Sequence, residues 1–501
     1  MQTKEDIHMT KTKQSNRKII SVVFIAAIVI IAIFAIRNLT ASNSTAQVFL
    51  SSESSNTPPK NASWYTDPAF AMEGVQYELS KQEDIPLTKP SDQNVTTINV
   101  DPNVEYQTML GIGTSLEEST IYNLSLMSPE KRDGVLRKLI DPENGAGMST
   151  FRITFGTSDF TGQEFYTYED TQGEFSIQKD IDNNIVATVK EAIAIGEETG
   201  NPIKIYASSW SPPAWMKSSN SLIGGFLELE YIDDLAVYYR KAVQAYEEQG
   251  IPIYAMTIQN EPLYAAPDYP SMRLVAEDER DIILALKKEF EENNITTKLW
   301  TFDHNFGQAW SYIPAILDDP EAFAAVDGVA FHDYSGEPTV MSQVHDKYPE
   351  KNVLVTERTV WGTEGADRIA QYIRNWATSY NAWVTMLDQN IAPEQWTGTP
   401  DPTMLIQNPE DRDMYWITPE YNFIAQYTKF LQEGAKRIES DYGAADTVTN
   451  VSFLNPDGTI VSIVINQTDT DQTFKILSEE NELLATIPAK TVGTYTWAKA
   501  D

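Results

Sequence analysis

Between residues 108 and 427 the chain alternates short apolar runs with polar-faced helical stretches. Helical periodicity follows several runs, as at residues 235–246 and 281–290. Eight strand-helix units of this kind predict a (β/α)8 barrel, whose functional loops follow the strands. The eight predicted strands are residues 109–114, 148–155, 203–208, 253–259, 298–303, 328–332, 353–357 and 382–387.

The pattern changes to hairpins beyond about residue 440. Residues 451–454 and 459–465 alternate around the turn Asn455-Pro456-Asp457-Gly458. Two earlier stretches, residues 75–79 and 95–100, also look like strands without following helices. We therefore predict a barrel at residues 106–437 and an all-β sandwich domain built from both chain ends, residues 66–105 and 438–501.

The amino-terminal region predicts export. Residues 1–18 form a basic tail, and residues 19–36 are apolar except for Ser21, which is at the lower length limit for a membrane span. This pattern predicts a single-pass signal anchor with the body outside the cell; a cleaved signal peptide and a secreted protein are the alternative. Residues 37–65, rich in Ser, Thr and Asn, are expected to form a flexible stalk.

The amino-acid composition disfavours several kinds of binding partner and active site. The formal net charge of -35 disfavours nucleic acid and anionic membranes, so membrane contact is expected through the anchor only. With no cysteine the chain has no thiolate nucleophile or thiolate metal site, and its 4 histidines lack the spacing of a helical metal pair. We expect no metal and no other cofactor. No glycine-flanked nucleophilic serine occurs, which leaves carboxylate chemistry.

Two glutamates follow predicted barrel strands. Glu261 comes after the fourth strand in Asn260-Glu261-Pro262, and Glu357 ends the seventh. Both therefore belong to the catalytic rim of the barrel. A glycosidase needs two such carboxylates, one to protonate the leaving oxygen and one to attack the sugar or activate water. A rim carboxylate in a salt bridge is the alternative for either residue alone, but the pair favours glycoside hydrolysis.

Three motifs resemble glycoside hydrolase family 30, the family of glucosylceramidase. They are Gln259-Asn260-Glu261-Pro262, Val355-Thr356-Glu357 and the segment ASSWSPPAWMK at residues 207–217. The resemblance runs from about Gly111 to the end of the chain. It implies that Glu261 is the general acid/base and that Glu357 is the nucleophile.

The same resemblance implies further substrate contacts. Asn260 would bind the sugar 2-hydroxyl, Asp159 would bind the distal hydroxyls of a terminal glucose, and Trp210 would line the same subsite. The other candidates are His332 and Tyr334 near the nucleophile, Trp383 in strand eight, and Arg152, which could instead be a buried ion-pair partner. Asp303, at the end of strand five, could simply anchor a loop.

These observations predict a retaining β-glycosidase that cleaves β-glucosides through a covalent glycosyl-enzyme. A β-1,6-linked glucan and a glucosylated lipid are both candidate substrates; β-xylosidase or xylanase activity is the alternative within the family. A non-catalytic cell-surface carbohydrate-binding protein is the alternative of another class. Residues 383–388 lack the second tryptophan that the glucosylceramidase pattern has near Met386, which argues against ceramide glucosides.

Overall fold

The computed structural model describes residues 45–60, 62–395 and 399–500. The predicted basic tail, the predicted anchor and residues 37–44 of the predicted stalk lie outside these ranges. Among the described residues, no helix combines the length and the apolar character needed to cross a membrane.

The strands in chain order are β1 (Thr45–Ser52), β2 (Ser80–Lys81), β3 (Ile85–Pro86), β4 (Thr96–Thr108), β5 (Gly111–Ser115), β6 (Thr150–Thr154), β7 (Lys204–Ser208), β8 (Ile253–Thr257), β9 (Lys298–Asn305), β10 (Gly328–His332), β11 (Asn352–Glu357), β12 (Ala377–Ala382), β13 (Met386–Asp388), β14 (Leu405–Gln407), β15 (Tyr415–Ile417), β16 (Lys436–Ser440), β17 (Thr449–Leu454), β18 (Thr459–Asn466), β19 (Gln472–Ser478), β20 (Asn481–Ile487) and β21 (Thr491–Ala498).

The helices are α1 (Ser63–Thr66), α2 (Pro68–Ala71), α3 (Glu118–Ser125), α4 (Pro129–Ile140), α5 (Gln178–Asp182), α6 (Ile185–Glu198), α7 (Ile232–Glu248), α8 (Ala276–Glu292), α9 (Ala309–Leu317), α10 (Pro320–Ala325), α11 (Thr339–Lys347), α12 (Gly362–Arg374) and α13 (Pro419–Thr428). Short 3₁₀ turns occupy Ala214–Met216, Leu229–Tyr231 and Phe306–Gln308.

Strands β5 to β12 form a closed barrel of eight parallel strands, as predicted. Seven of the predicted runs overlap barrel strands. The eighth prediction, residues 382–387, was wrong: Ala377–Ala382 closes the barrel against β5, and Met386–Asp388 belongs to a separate three-stranded sheet with β14 and β15. The true strand contains Thr378, Ser379 and Asn381, so its buried residues are largely polar and do not read as an apolar run.

Both chain ends build one ten-stranded sheet beside the barrel, ordered β2-β1-β21-β18-β17-β16-β4-β19-β20, with β3 paired to β1. Successive side chains of β18 point to opposite faces of the sheet, and both faces are buried. Ile460 and Val464 belong to the core of the sheet domain, whereas Val461 and Ile463 pack in the same apolar core as the barrel. The sheet domain is therefore joined to the barrel through a continuous apolar face.

The predicted flexible stalk was wrong from residue 45 onward. Thr45–Ser52 pairs with β21, with Val48 opposite Tyr495, and Ala46, Val48 and Leu50 point into the core of the sheet domain. The alternation was present in the sequence, but it is short and flanked by Ser and Thr residues. The predicted strand at residues 75–79 was also misplaced, because strand pairing starts at Ser80.

Barrel strands carry an apolar layer below a polar one. Tyr206, Ala255 and Leu354 belong to one small apolar cluster. Two residues further along the same strands, and so on the same face, stand Ser208, Thr257 and Thr356. The barrel interior thus changes from apolar to polar toward the carboxyl ends of the strands, where the predicted catalytic residues lie.

Replacing Leu50 with alanine tests whether β1 is structural. We expect a loss of roughly 2–5 kcal/mol in the free energy of unfolding, since a buried leucine leaves a cavity, and a lower melting temperature. Gln47, which is exposed on the same strand, provides the control, and Gln47→Ala should change little. Equal melting temperatures for wild type and Leu50→Ala would return this segment to the role of a flexible stalk.

Candidate active site

Arg152 on β6 and Asp303 on β9 form a fully buried ion pair at the top of the barrel, with Nη2 of Arg152 3.0 Å from Oδ2 of Asp303. Arg152 also donates through Nε to Ser208 at 3.0 Å and through Nη2 to Oδ1 of Asn260 at 2.8 Å. Its Nη1 donates to Oε2 of Glu357. A single guanidinium therefore joins three barrel strands and the loop after a fourth.

Asp303 reaches this position through a β-bulge. Phe302 and Asp303 have φ angles of 80° and 44°, and the register of β9 against β10 shifts beside them. A bulge re-aims the side chains that follow it. As a result Phe302 packs in the outer core of the barrel, and Asp303 faces the polar layer inside it.

The carboxylate of Asp303 is saturated with donors. Oδ2 accepts from Thr257 at 2.6 Å, besides the contact with Arg152, and Oδ1 accepts from Thr356 at 2.6 Å. Nε2 of His332 lies 3.0 Å from Oδ1. Although burial by itself raises the pKa of Asp303, the charges of Arg152 and His332 and these hydrogen bonds hold the pKa well below its ordinary value.

Glu357 ends β11 and is fixed from two sides. Oε2 accepts from Arg152, and Oε1 accepts from the hydroxyl of Tyr334 at 2.9 Å. Nδ1 of His332 lies 3.6 Å from the same Oε1. The carboxylate is thus oriented by donors and lies next to positive charge, which suits a nucleophile that must remain ionised.

Glu261 follows β8 in a left-handed backbone conformation, with φ 46°. Its backbone N–H donates to the carbonyl of Asp303 at 3.1 Å, and the N–H of Asn260 donates to Ser209 at 2.8 Å. Oε1 of Glu261 lies 3.3 Å from Nδ1 of His332 and 3.9 Å from Nδ1 of His304. The loop therefore presents Glu261 across the barrel from Glu357.

One oxygen of Glu261, one oxygen of Glu357 and Nδ1 of His332 all lie within 4.8 Å of one another, a spacing that could hold a metal ion. Without a bound cation these contacts favour a protonated His332, because its Nδ1 and Nε2 both face carboxylate oxygens, those of Glu261 and Asp303. Burial lowers the pKa of His332, but the charges of Glu357 and Asp303 outweigh burial and raise it to about 10. A protonated imidazolium has no nitrogen lone pair for a metal, whereas it can stabilise both glutamates.

A cavity of about 730 Å³ opens above the two glutamates. One wall is aromatic: the rings of Trp210 and Trp383 stack with centroids 5.0 Å apart, and the guanidinium of Arg152 lies 4.9 Å from the ring of Trp210. Such a surface suits the apolar face of a sugar ring.

Asp159 lines the same cavity, and its Oδ1 is buried without a hydrogen-bond partner among the described residues. Burial, followed by the charges of Glu357 and Glu261, raises the pKa of Asp159 well above its ordinary value. The unpartnered oxygen is therefore ready to bind a ligand hydroxyl.

All nine candidates from the sequence converge here. Asp159, Trp210, Asn260, Glu261, Tyr334, Glu357 and Trp383 line the cavity. Behind the glutamates, His332 contacts both and Arg152 contacts Glu357, so Arg152 is a buried ion-pair partner, one of the two roles weighed for it.

Sequence reasoning missed several residues of the site. Glu118, at the start of α3, accepts from the backbone N–H of Ser158 at 2.9 Å and so holds the turn that carries Asp159; burial raises the pKa of Glu118 to about 7. Asp303 was considered only as a loop anchor. The remaining cavity residues that were missed include Tyr264, Tyr269, His304, Asn305, Gln308, Arg358 and Asp401.

A usable signal existed for only some of these residues. Asp303 ends the fifth predicted strand and His304 directly follows it, where catalytic residues of a barrel are expected. Asp401 lies on the long connection between β13 and β14, far along the chain from Arg358, to which it pairs at 3.0 Å. No local pattern marks such a pair.

Comparison with known proteins gives matches over most of the chain. The model described as the glycosyl hydrolase family 30 TIM-barrel domain matches residues 109–431, and the model of the family 30 beta sandwich domain matches residues 434–495.

The similar proteins carry two kinds of name, endo-1,6-beta-D-glucanase and glucosylceramidase. The endo-1,6-beta-D-glucanase neg1 of Aspergillus fumigatus is 28% identical over 397 residues, which cover 73% of this chain and 80% of the relative. The lysosomal acid glucosylceramidase of Mus musculus is 23% identical over 436 residues, which cover 80% of this chain and 83% of the relative. Among solved structures, the endo-beta1,6-glucanase BT3312 superposes with a TM-score of 0.78 at 28% identity, covering 91% of this chain and 100% of that one.

Asp303→Asn tests the buried ion pair. An amide offers one acceptor oxygen in place of two and leaves Arg152 partly unpaired, so we expect a loss of roughly 3–5 kcal/mol in stability and a fall of at least about 100-fold in kcat/KM. Asp318→Asn removes a carboxylate from a solvent-exposed pair with Lys347 and should cost less than about 1 kcal/mol.

The same variant has a pH signature. The folded pKa of Asp303 lies below its ordinary value of 3.8, so its stabilising contribution is present above about pH 4 and is lost as the pH falls toward the folded pKa. The gap in melting temperature between wild type and Asp303→Asn should therefore narrow below about pH 4. A gap that stays constant down to acid unfolding would contradict the lowered pKa.

Proposed function

Because the chain belongs to glycoside hydrolase family 30, as its motifs predicted, we propose that it cleaves β-glucosidic bonds with retention of configuration, with Glu357 as nucleophile and Glu261 as acid/base. The observation that carries this proposal is the separation of the two carboxylates, whose nearest oxygens lie within 4.8 Å. Retaining enzymes hold them roughly 5–5.5 Å apart, whereas inverting enzymes leave roughly 6.5–9.5 Å for a water.

The reaction then proceeds in two displacements. An oxygen of Glu357 bonds to the anomeric carbon while the bond from that carbon to the leaving oxygen breaks, and Glu261 gives its proton to the leaving oxygen. In the second step Glu261 removes a proton from water, the water oxygen bonds to the anomeric carbon, and the bond to Glu357 breaks. Each glutamate ends the cycle in its starting state.

Surrounding residues support these roles. Arg152 and Tyr334 orient the two oxygens of Glu357, which favours attack from one direction. His332 lies between the glutamates as an imidazolium and stabilises the negative charge that Glu261 acquires when it gives up its proton.

We further propose a glucan, and in particular a β-1,6-linked glucan, as the substrate. Arg358, Asp401, Asn305 and Gln308 place polar groups on the cavity wall, where they can hydrogen-bond to the hydroxyls of a second sugar. The similarity to proteins named endo-1,6-beta-glucanases supports the same choice. An exported body, as residues 19–36 predict, would meet such polysaccharides outside the cell.

Trapping with a 2-deoxy-2-fluoro β-glucoside tests the catalytic assignment. The fluorine slows the second step, so we expect the glycosyl-enzyme to accumulate and peptide mass mapping to find the label on Glu357. Glu357→Gln is the control and should take up no label. A label on another residue, or initial release of the α-anomer seen by NMR, would overturn the assignment.

A substrate panel tests the choice of glucan. We expect kcat/KM for β-1,6-glucan to exceed the values for glucosylceramide in mixed micelles and for xylan at least tenfold, measured as released reducing ends or glucose. Glu261→Gln should lose activity on all three and so show that one site is responsible. Faster cleavage of glucosylceramide would favour the lipid, and faster cleavage of xylan would favour the xylanase alternative.

A further inference from the structure

Strand β9 runs past the catalytic layer. It has 8 residues and continues through Asp303 to Asn305, followed by the 3₁₀ turn Phe306–Gln308. Two contacts fix this extension to the loop after β10: Oδ1 of Asn305 accepts from the backbone N–H of Tyr334 at 2.7 Å, and the N–H of Gly307 donates to Ser335 at 3.1 Å. The side chains of the extension are thus held rigidly beside Glu261 and Glu357.

Two polar atoms of this extension are buried without a partner among the described residues. They are Nδ1 of His304 and Oε1 of Gln308. His304 is only 5% exposed, yet it lines the cavity together with Asn305 and Gln308. Leaving a buried polar atom without a hydrogen bond costs about 1–3 kcal/mol, so a group that enters the cavity gains affinity if it bonds to these two atoms.

The chemistry of these side chains selects the kind of ligand. Burial lowers the pKa of His304 to about 4, so its imidazole is neutral and offers one donor and one acceptor. The amides of Asn305 and Gln308 are also neutral. Hydroxyl groups, which both donate and accept, match such a set, whereas an anion or an alkyl chain does not.

The position of His304 indicates which side of the cleaved glycosidic bond it would contact. Nδ1 of His304 lies 3.9 Å from Oε1 of Glu261, the group assigned to protonate the leaving oxygen. Asp159 and Trp210, by contrast, are the residues that the family resemblance assigns to the sugar that becomes attached to Glu357, and Trp383 stacks on Trp210. His304 and its neighbours therefore lie on the side of the leaving group.

We infer that His304, Asn305 and Gln308 form an acceptor subsite that binds the hydroxyls of the glucosyl residue on the leaving-group side of the cleaved bond. This inference rests on the proposed function, since it assumes that Glu261 is the acid. In a 1,6-linked glucan the leaving ring is attached through a methylene group, which places the ring one carbon further from the oxygen that Glu261 protonates.

The test must separate acceptor binding from proton transfer, because a change at His304 also alters the surroundings of Glu261. We therefore compare β-1,6-linked glucose oligomers with methyl β-glucoside. Both leaving alcohols need a proton, but only the oligomers present sugar hydroxyls to the subsite. The measured quantity is the ratio of kcat/KM for the oligomer to kcat/KM for methyl β-glucoside.

Gln308→Leu removes both polar groups of the side chain at nearly constant size, and His304→Phe keeps a flat ring beside Phe302. Each variant should lower the ratio at least tenfold. His345→Phe is the matched control: His345 lies on α11, stacks on Trp376 with ring centroids 3.6 Å apart, and should leave the ratio at its wild-type value. Gln308 is partly exposed, so Gln308→Leu remains informative if His304→Phe fails to fold.

Each outcome decides the matter. A lowered ratio in the variants supports the subsite, and an equal loss on both substrates overturns it. If wild type cleaves a differently linked glucose disaccharide instead, the 1,6-linkage is wrong, and the ratio measured with that disaccharide tests the subsite in its place. If wild type cleaves methyl β-glucoside but no glucose oligomer, the subsite is overturned while the roles of Glu261 and Glu357 stand.

Discussion

The ion pair between Arg152 and Asp303 is the constraint on which the catalytic end of the barrel depends. Two charges are expensive to bury, and their attraction offsets that cost only if the remaining donors and acceptors are also satisfied. Ser208, Thr257 and Thr356 supply hydroxyl donors for Asp303, while Asn260 and Glu357 accept from Arg152. The requirement to satisfy two buried charges therefore dictates the identity of five residues on β7, β8, the loop after β8 and β11.

The ion pair also positions the side chains that surround the two candidate catalytic glutamates. Arg152 sets the direction of Glu357, and Asp303 holds His332, which in turn faces Glu261. Glu357 ends β11 and Glu261 lies on the loop directly after β8, but both contact His332. Their spacing is set close to the barrel interior, because the backbone N–H groups of Asn260 and Glu261 are hydrogen-bonded to Ser209 and Asp303.

Much of this could be predicted from sequence. Seven barrel strands could be predicted because each overlaps a short apolar run, and the position of Glu261 and Glu357 beside the cavity could be predicted because both come at the ends of such runs. The eighth strand was missed because its buried residues, such as Thr378 and Asn381, are polar. The central role of Asp303 could not be predicted, since it depends on a bulge that turns Phe302 outward, and strand periodicity by itself would place Phe302 or its neighbour inside without preference.

Contacts between residues far apart in the sequence could not be predicted either. Tyr65, in a segment expected to be flexible, donates its hydroxyl to the carbonyl of Asp401 beside the cavity. Its burial depends on residues more than 300 positions away, and neither partner carries a local signal. Such contacts are decided by the closed fold, which is why a resemblance to a family locates the glutamates better than it locates the walls around them.

The pairing of β1 with β21 has a consequence for the order in which the molecule assembles. Val48 lies opposite Tyr495, so the first described strand has to wait for the last one before it acquires that neighbour. Ribosomes add about 5–20 residues per second, and tens of seconds therefore separate the synthesis of the two strands. During that time the barrel can close first, while β1 has only β2 and β3 as strand neighbours and its other edge still lacks β21.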